Sequence, residues 1–220
     1  MAEDALALAR AGAAAVAGHG RPGQWRWRGC TLAGDTPAQW LSVPDAFMQL
    51  AGIDLLATLT ADGSPDRAAL AAQVAAAGLN VAADDSWSDL FTKVLTARIE
   101  PAIGRDAPTV LHSYPAPEAA LARRTPGDPR LSERFELYVC GVELANGFGE
   151  LTDPAEQRAR FEADMDEKQR LYGERYPIDA ELLEALGLMP PASGVAMGFD
   201  RLVMLASGAR SISDVLWTPA

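Results

Sequence analysis

The stretch from Arg134 to Glu150 narrows what this chain can fold into more than any other. Strand-forming residues run from Arg134 to Ala145 and are interrupted at Cys140–Gly141, a pair suited to a tight turn, so the segment reads as two antiparallel strands. Upstream, Thr109–Val110–Leu111 reads as a buried strand entering Ser113–Tyr114–Pro115. Downstream, Asp153–Pro154–Ala155–Glu156 places Asp at an N-cap, Pro at N1 and Glu at N3. The helix it opens, to about Tyr172, is mostly charged and is expected on the surface. Val195 to Met197 then forms a short apolar strand, and Phe199 to Ser207 a helix closed by Gly208.

The first hundred residues read differently. Residues 3–17 are helical in pattern and stop at the Gly18–Pro22–Gly23 breaker. Gln24 to Thr31 alternates Trp and Arg, as a strand or an exposed arm would. A second helix is expected after Ser42, with Phe47, Leu50 and Ala51 on one face. Ser64–Pro65 is expected to open another to Ala77, with Ser as N-cap and Pro at N1. Ser86 with Asp89 three residues later resembles a capping box, ahead of Leu90, Phe91, Val94 and Leu95. At 220 residues the chain suits one domain, with residues 1–105 mainly helical and 106–220 an antiparallel core. The expected fold class is α+β.

Charge excludes some functions. The formal net charge is −11, and no Lys/Arg run marks a basic patch, so DNA and anionic membranes are not expected partners. Cys30 and Cys140 lie far apart and form no CxxC unit, which gives neither a disulfide framework nor a zinc site. The Ala-rich start carries Glu3, Asp4 and Arg10, unlike a signal peptide. No apolar run is long enough to span a bilayer, and the cytoplasm is the expected location. Gly18-His19-Gly20-Arg21-Pro22-Gly23 spells GxGxxG, yet it follows a helix and contains Pro, so it is read as a loop. Trp25-Arg26-Trp27-Arg28 could stack on bases, but two Arg on so acidic a chain are read as cover for apolar surface or cation–π contacts.

The chemistry-bearing cluster is Glu136, Glu143, Asn146 and Glu150, three carboxylates and an amide within the hairpin. Glu is depleted in strands. With a turn near Cys140, Glu136 and Glu143 are expected as close neighbours across it, and two such carboxylates repel unless a cation sits between them. The pair suits Mg²⁺ carried by a nucleotide, which is held through one or two carboxylates plus phosphate. Glu150, with Asn146 as a neutral donor and acceptor, suits an ammonium. The competing reading is a solvated polar stripe on one sheet face. Further on, Gly194, Gly198 and the cation Arg201 stand at a strand-to-helix junction, where small residues let a ligand approach and Arg faces polyphosphate. The competing reading there is a Gly-hinged core helix with Arg201 in a surface pair.

Gly194-Val-Ala-Met-Gly198-Phe-Asp200-Arg201-Leu resembles motif 3 of class II aminoacyl-tRNA synthetases. Glu136 and the run Glu143-Leu-Ala-Asn146-Gly-Phe-Gly-Glu150 resemble the amino-acid pocket of the lysine branch. His112-Ser-Tyr-Pro through Arg124 resembles the stretch before it. Within that branch the similarity is greatest to the short paralogues without an anticodon domain, the elongation factor P–(R)-β-lysine ligases, which share Ala196. The resemblance implies an antiparallel class II sheet flanked by helices. It implies Arg201 on the phosphates of ATP as the catalytic residue, with Glu136 and Glu143 holding Mg²⁺–ATP. It places Glu143, Asn146 and Glu150 around lysine or β-lysine, over a floor of Gly194, Ala196 and Gly198. The implied chemistry is ATP-dependent activation of a carboxylate and acyl transfer to elongation factor P, with tRNA an unlikely acceptor.

Motifs 1 and 2 of the family are not found ahead of this region, so the fold is expected to be incomplete on its N-terminal side, with an exposed sheet edge. Activity of this chain alone is expected to be compromised, and the family's homodimer to require the full domain. Two alternatives are a non-catalytic remnant that binds a cationic amino acid or a partner, and a lysyl-tRNA synthetase fragment.

Overall fold

A computed structural model of the chain describes residues 1–18 and 23–218. His19–Pro22, the middle of the GxGxxG-like stretch, lie outside the described residues.

Elements follow in chain order. Helix α1 spans Ala2–Ala17 and buries Ala5, Leu6, Ala9 and Ala13, a stripe at helical spacing. Strands β1 (Gln24–Trp27) and β2 (Cys30–Ala33) form an antiparallel hairpin around Arg28–Gly29. The Trp/Arg stretch is therefore a strand, with Trp25 fully buried and Arg26 and Arg28 exposed. A short β3 (Gln39–Ser42) runs into α2 (Val43–Ala51), where the Ser42 hydroxyl accepts from the Asp45 N–H at 3.1 Å. Phe47 is buried as expected, but Leu50 is 37% exposed because the last turn of this nine-residue helix leaves the core.

Helix α3 spans Arg67–Ala76, capped by Asp66, whose carboxylate accepts from the Ala69 N–H at 3.0 Å. The expected start at Ser64–Pro65 is thus corrected. The Ser64 N–H is held in a turn by Thr60 and Asp62, and Pro65 bridges to Leu59 in extended conformation. Helix α4 (Trp87–Val94) carries the full Ser86–Asp89 capping box, and a π-type turn, Leu95–Ile99, extends it.

Strand β4 is Thr109–Pro115, β5 is Arg124–Thr125, β6 is Asp128–Val139 and β7 is Val142–Gly149. Cys140 and Gly141 both have positive φ, 52° and 74°, as a two-residue hairpin turn with the twist of its strands requires. Helix α5 (Pro154–Tyr172) starts on Asp153 and buries only Gln157, and α6 (Ala180–Leu188) follows. Strand β8 (Ser193–Met197) leads into α7 (Phe199–Ser207), which ends at a left-handed Gly208.

The main sheet has the order β3-β4-β6-β7-β8, with β5 added to β6; every pair is antiparallel except β3–β4. The α+β class with an antiparallel-dominated sheet flanked by helices is as expected. The parallel β3 is not, because a four-residue strand with one buried side chain, Leu41, carries no periodic signal. Phe135, Leu137 and Val139 of β6 turn to one face and pack with α1, Trp25 and Leu205. Glu136 and Tyr138 turn to the other, where Tyr138 joins Phe47, Leu90, Phe91 and Leu111. At about 1.5–3 kcal/mol for each large side chain buried, these two cores hold the sheet rigid between them. Everything chemically notable on the hairpin is therefore presented on one face.

Candidate active site

Hairpin register decides which side chains meet. The Cys140–Gly141 turn pairs Val139 with Val142 and Tyr138 with Glu143; a bulge then pairs Leu137 with Ala145 and Glu136 with Asn146. Glu136 and Glu143, expected as close neighbours across the turn, share a sheet face but are not a directly opposed pair: Glu143 stands opposite Tyr138, two residues along β6 from Glu136. The same face continues onto β8, where Asn146 pairs with Ala196 and Phe148 with Gly194.

Glu136 is buried, 7% exposed. One carboxylate oxygen accepts from Arg134 at 2.7 Å and the other from the Tyr138 hydroxyl at 2.7 Å. Arg134 is a hub: it also donates to the Glu118 carbonyl, reaches the Asn146 side-chain oxygen at 3.4 Å and stacks over the Tyr114 ring at 4.3 Å. Burial, with the charge of Glu136 close by, pushes the Tyr138 and Tyr114 hydroxyls well above their ordinary range. Both are held neutral, and Tyr138 donates to Glu136.

Glu143 stands nearer solvent. Arg201, in the first turn of α7, donates to the Glu143 carbonyl at 2.7 Å and to its carboxylate at 3.2 Å. Backbone fixes that approach, since the Gly198 N–H donates to the Leu144 carbonyl at 2.9 Å. Tyr138, Glu143 and Arg201 line a cavity of about 500 Å³ together with Glu100. Burial and then the charges of Glu136 and Glu143 raise the Glu100 carboxyl above the usual range. Among the described residues, no three or more His, Cys, Asp or Glu gather as a metal cage.

A second cavity, about 320 Å³, is lined by Arg134, Asn146, Phe148 and the loop Pro117–Ala122. Arg160 of α5 clamps that loop by donating to the carbonyls of Ala119 and Ala122 at 2.6 and 2.8 Å. Glu150 follows β7, its N–H bonded to the Ala192 carbonyl at 3.0 Å. Its half-buried carboxylate forms no ion pair with a described residue. A Cβ at position 194 would stand 2.6 Å from the Glu150 carboxylate, so glycine there makes room for it.

Sequence comparison places this geometry in a family. The family described as tRNA synthetases class II (D, K and N) matches residues 54–220. The chain belongs to that family. It is 44% identical over 183 residues to elongation factor P–(R)-β-lysine ligases of Klebsiella pneumoniae subsp. pneumoniae, Salmonella gallinarum and Erwinia tasmaniensis. Those alignments cover 82% of this chain and 54% of each relative, so the chain spans about half the length of the curated relatives it matches.

Of the residues singled out from the family motifs, Glu136, Glu143, Asn146, Gly194 and Ala196 share one sheet face in the register above. Gly198 and Arg201 join them through the β8–α7 junction, and Glu150 joins them through its contact at Gly194. Arg134, Tyr138 and Glu100 were not anticipated. Alternation along β6 could have found the first two, since residues 134, 136 and 138 share a face. No local signal marks Glu100, which reaches the site from the end of the α4 extension. No helix among the described residues is long and apolar enough to cross a membrane.

Proposed function

We propose that this chain carries the amino-acid and nucleotide pockets of an ATP-dependent ligase that activates lysine or β-lysine and passes it to elongation factor P. The observation that carries the reading is Glu150. A half-buried carboxylate without an ion-pair partner among the described residues, given room by Gly194, is what an alkylammonium requires. Asn146 and Glu143 line the rest of the amino-acid site over the Gly194, Ala196 and Gly198 floor.

Arg201 contacts the phosphates, and its present partner Glu143 is exposed enough to be exchanged for a ligand. Glu143 is the residue that would hold Mg²⁺, which supplies charge neutralisation for the phosphates when bound; Glu136, expected beside it as a ligand, has both oxygens taken by Arg134 and Tyr138 and braces the site instead. The chain's own part is positioning: a clamped loop, a buried Arg134–Glu136 brace and a rigid sheet hold substrate carboxylate and phosphate in line. Tyr138, kept neutral, fixes the Glu136 carboxylate. The names of the relatives support elongation factor P as acceptor and a lysine-type substrate. We take the protein to act in the cytoplasm without tRNA and to fold as one domain.

Calorimetry with lysine and with β-lysine tests the pocket. Glu150→Gln is expected to weaken the better of the two by roughly 10- to 100-fold, the worth of a charge-assisted hydrogen bond. Unchanged binding rejects the pocket assignment. ATP–pyrophosphate exchange dependent on either amino acid measures the activation step.

A further inference from the structure

Cys30 and Cys140 are far apart in sequence, yet the fold brings their thiols into direct interaction. Each stands at a two-residue hairpin turn. Cys30 opens β2 and pairs with Trp27 across Arg28–Gly29, and Cys140 forms the β6–β7 turn with Gly141. The two turns meet. The Cys140 thiol donates to the Trp25 carbonyl of β1 at 3.5 Å, and both cysteines pack into the core that holds Trp25 and Leu32. Arg105 spans the pair: its carbonyl accepts from the Cys30 thiol at 3.3 Å, and its guanidinium lies over Gly141, where an added Cβ would stand 2.8 Å from it. Both thiols are free.

A buried cysteine is often no more than a small apolar side chain. Two observations set this pair apart. Cys140 holds φ at +52°, in a turn position that Gly, Asn or Asp fills at least cost, so packing alone is a poor reason for cysteine there. The two thiols also differ in depth. Cys140 is fully buried, and burial, then the Cys30 thiol beside it, push its thiol up to about 12, so it keeps its proton. Cys30 is half-buried and borders a surface hollow of about 380 Å³. One sulfur meets solvent and the other stands behind it, as a peroxide-sensitive cysteine and its resolving partner do.

We infer that Cys30 and Cys140 form a redox-responsive modification site, which hydrogen peroxide converts to an intramolecular disulfide. The Cys30 sulfur, as its thiolate, attacks peroxide. An S–O bond forms, the O–O bond breaks, and hydroxide leaves, becoming water with the proton that Cys30 gave up. The Cys140 sulfur then displaces the oxygen left on Cys30: the S–S bond forms, the S–O bond breaks, and the Cys140 proton leaves in a second water. Two thiols lose two electrons, and one peroxide becomes two waters. The bond clasps the β1–β2 hairpin to the β6–β7 turn. Trp27 and Arg28 of one and Gly141, Val142 and Glu143 of the other line the cavity of about 500 Å³, so the clasp ties two walls of that cavity together.

The test treats the reduced 220-residue chain with hydrogen peroxide, blocks remaining thiols with iodoacetamide in denaturant and maps the peptides by mass. Expected are a single chain lighter by two hydrogens, a Cys30–Cys140 cross-linked peptide, and return of both alkylatable thiols with dithiothreitol. The oxidised form is expected to melt about 5–10 °C higher, since a bond closing so long a loop restricts the unfolded chain. Dimedone assigns the order of attack. Cys140→Ser should stop at a sulfenic acid trapped on Cys30, whereas Cys140 in the Cys30→Ser variant should react at least about 10-fold more slowly. Two thiols still alkylatable after peroxide, or disulfides only between separate chains, overturn the site. A melting temperature that fails to rise overturns the clasp, and equal dimedone labelling rates overturn the order of attack. Peptide mapping of the wild type involves no substitution, so it decides the site even where a variant misfolds.

Discussion

Arg134–Glu136 and Arg201–Glu143 are ion pairs on the same sheet face, with N···O separations of 2.7 and 3.2 Å. The side chains of the first are 22% and 9% exposed, those of the second 46% and 39%. Arg134 is satisfied on every side, by Glu136, the Glu118 carbonyl, Asn146 and the Tyr114 ring. Arg201 has one partner residue and open space beside it. Removing charge from water is costly, and only full pairing offsets it, so the inner pair is bound to stay closed. The outer pair is screened by solvent and worth little, so a phosphate can take Arg201 and a cation can take Glu143. Identical residue types thus form a closed brace in one place and an exchangeable pair in the other, and depth makes the difference.

The largest effect expected from this contrast is on stability. Arg134→Ala strands Glu136 in the core and should lower unfolding free energy by about 3–5 kcal/mol, read from urea denaturation. Replacing both partners by apolar residues, Arg134→Met with Glu136→Leu, should recover most of it. A loss below about 1 kcal/mol in the single variant would make the inner pair no brace at all.

Arg201→Ala should show the reverse profile. Its stability is expected within about 1 kcal/mol of wild type, while amino-acid-dependent ATP–pyrophosphate exchange falls by about 10²- to 10³-fold. If stability fell as far as in Arg134→Ala, the two pairs would not differ in kind.

The smallest effect concerns Glu100, which shares the outer cavity. Its folded pKa is raised above the ordinary 4.5, first by burial and then by the charges of Glu136 and Glu143. Between the unfolded value and the raised one, the folded state binds more protons, so stability falls as pH rises through that window. Glu100→Gln removes the penalty. It should raise the melting temperature slightly at pH 7 and make no difference below about pH 4, where both states are protonated. A melting temperature lowered at pH 7 would show that Glu100 gains more from its neighbours than it loses.

Helix ends were legible in the sequence where a cap is a matter of adjacent residues: Ser86 with Asp89, Asp153 before Pro154, Gly208 after α7. The start of α3 was misplaced because Thr60 and Asp62 hold the Ser64 N–H, and two turn signals one after the other cannot be ranked by sequence. In the site, the motif residues were legible one by one. Their mutual placement was not, because the bulge at Leu137–Tyr138 shifts the partner of Glu136 by one residue, from Ala145 to Asn146, and so brings Asn146 onto the Glu136 face.

By itself, then, the sequence determined the strand-turn-strand run at Cys140–Gly141, the capped helices, the family and the residue types of the pocket. All of these are encoded in neighbours along the chain, where period, turn and cap operate over a few residues. Tertiary structure alone decided that Arg134 lies buried against Glu136, that Arg201 stays half-exposed on Glu143, and that the Cys30 and Cys140 thiols meet. Those outcomes turn on depth and on contacts between distant segments, since a charge becomes a brace or a binding group according to how much water the fold leaves around it.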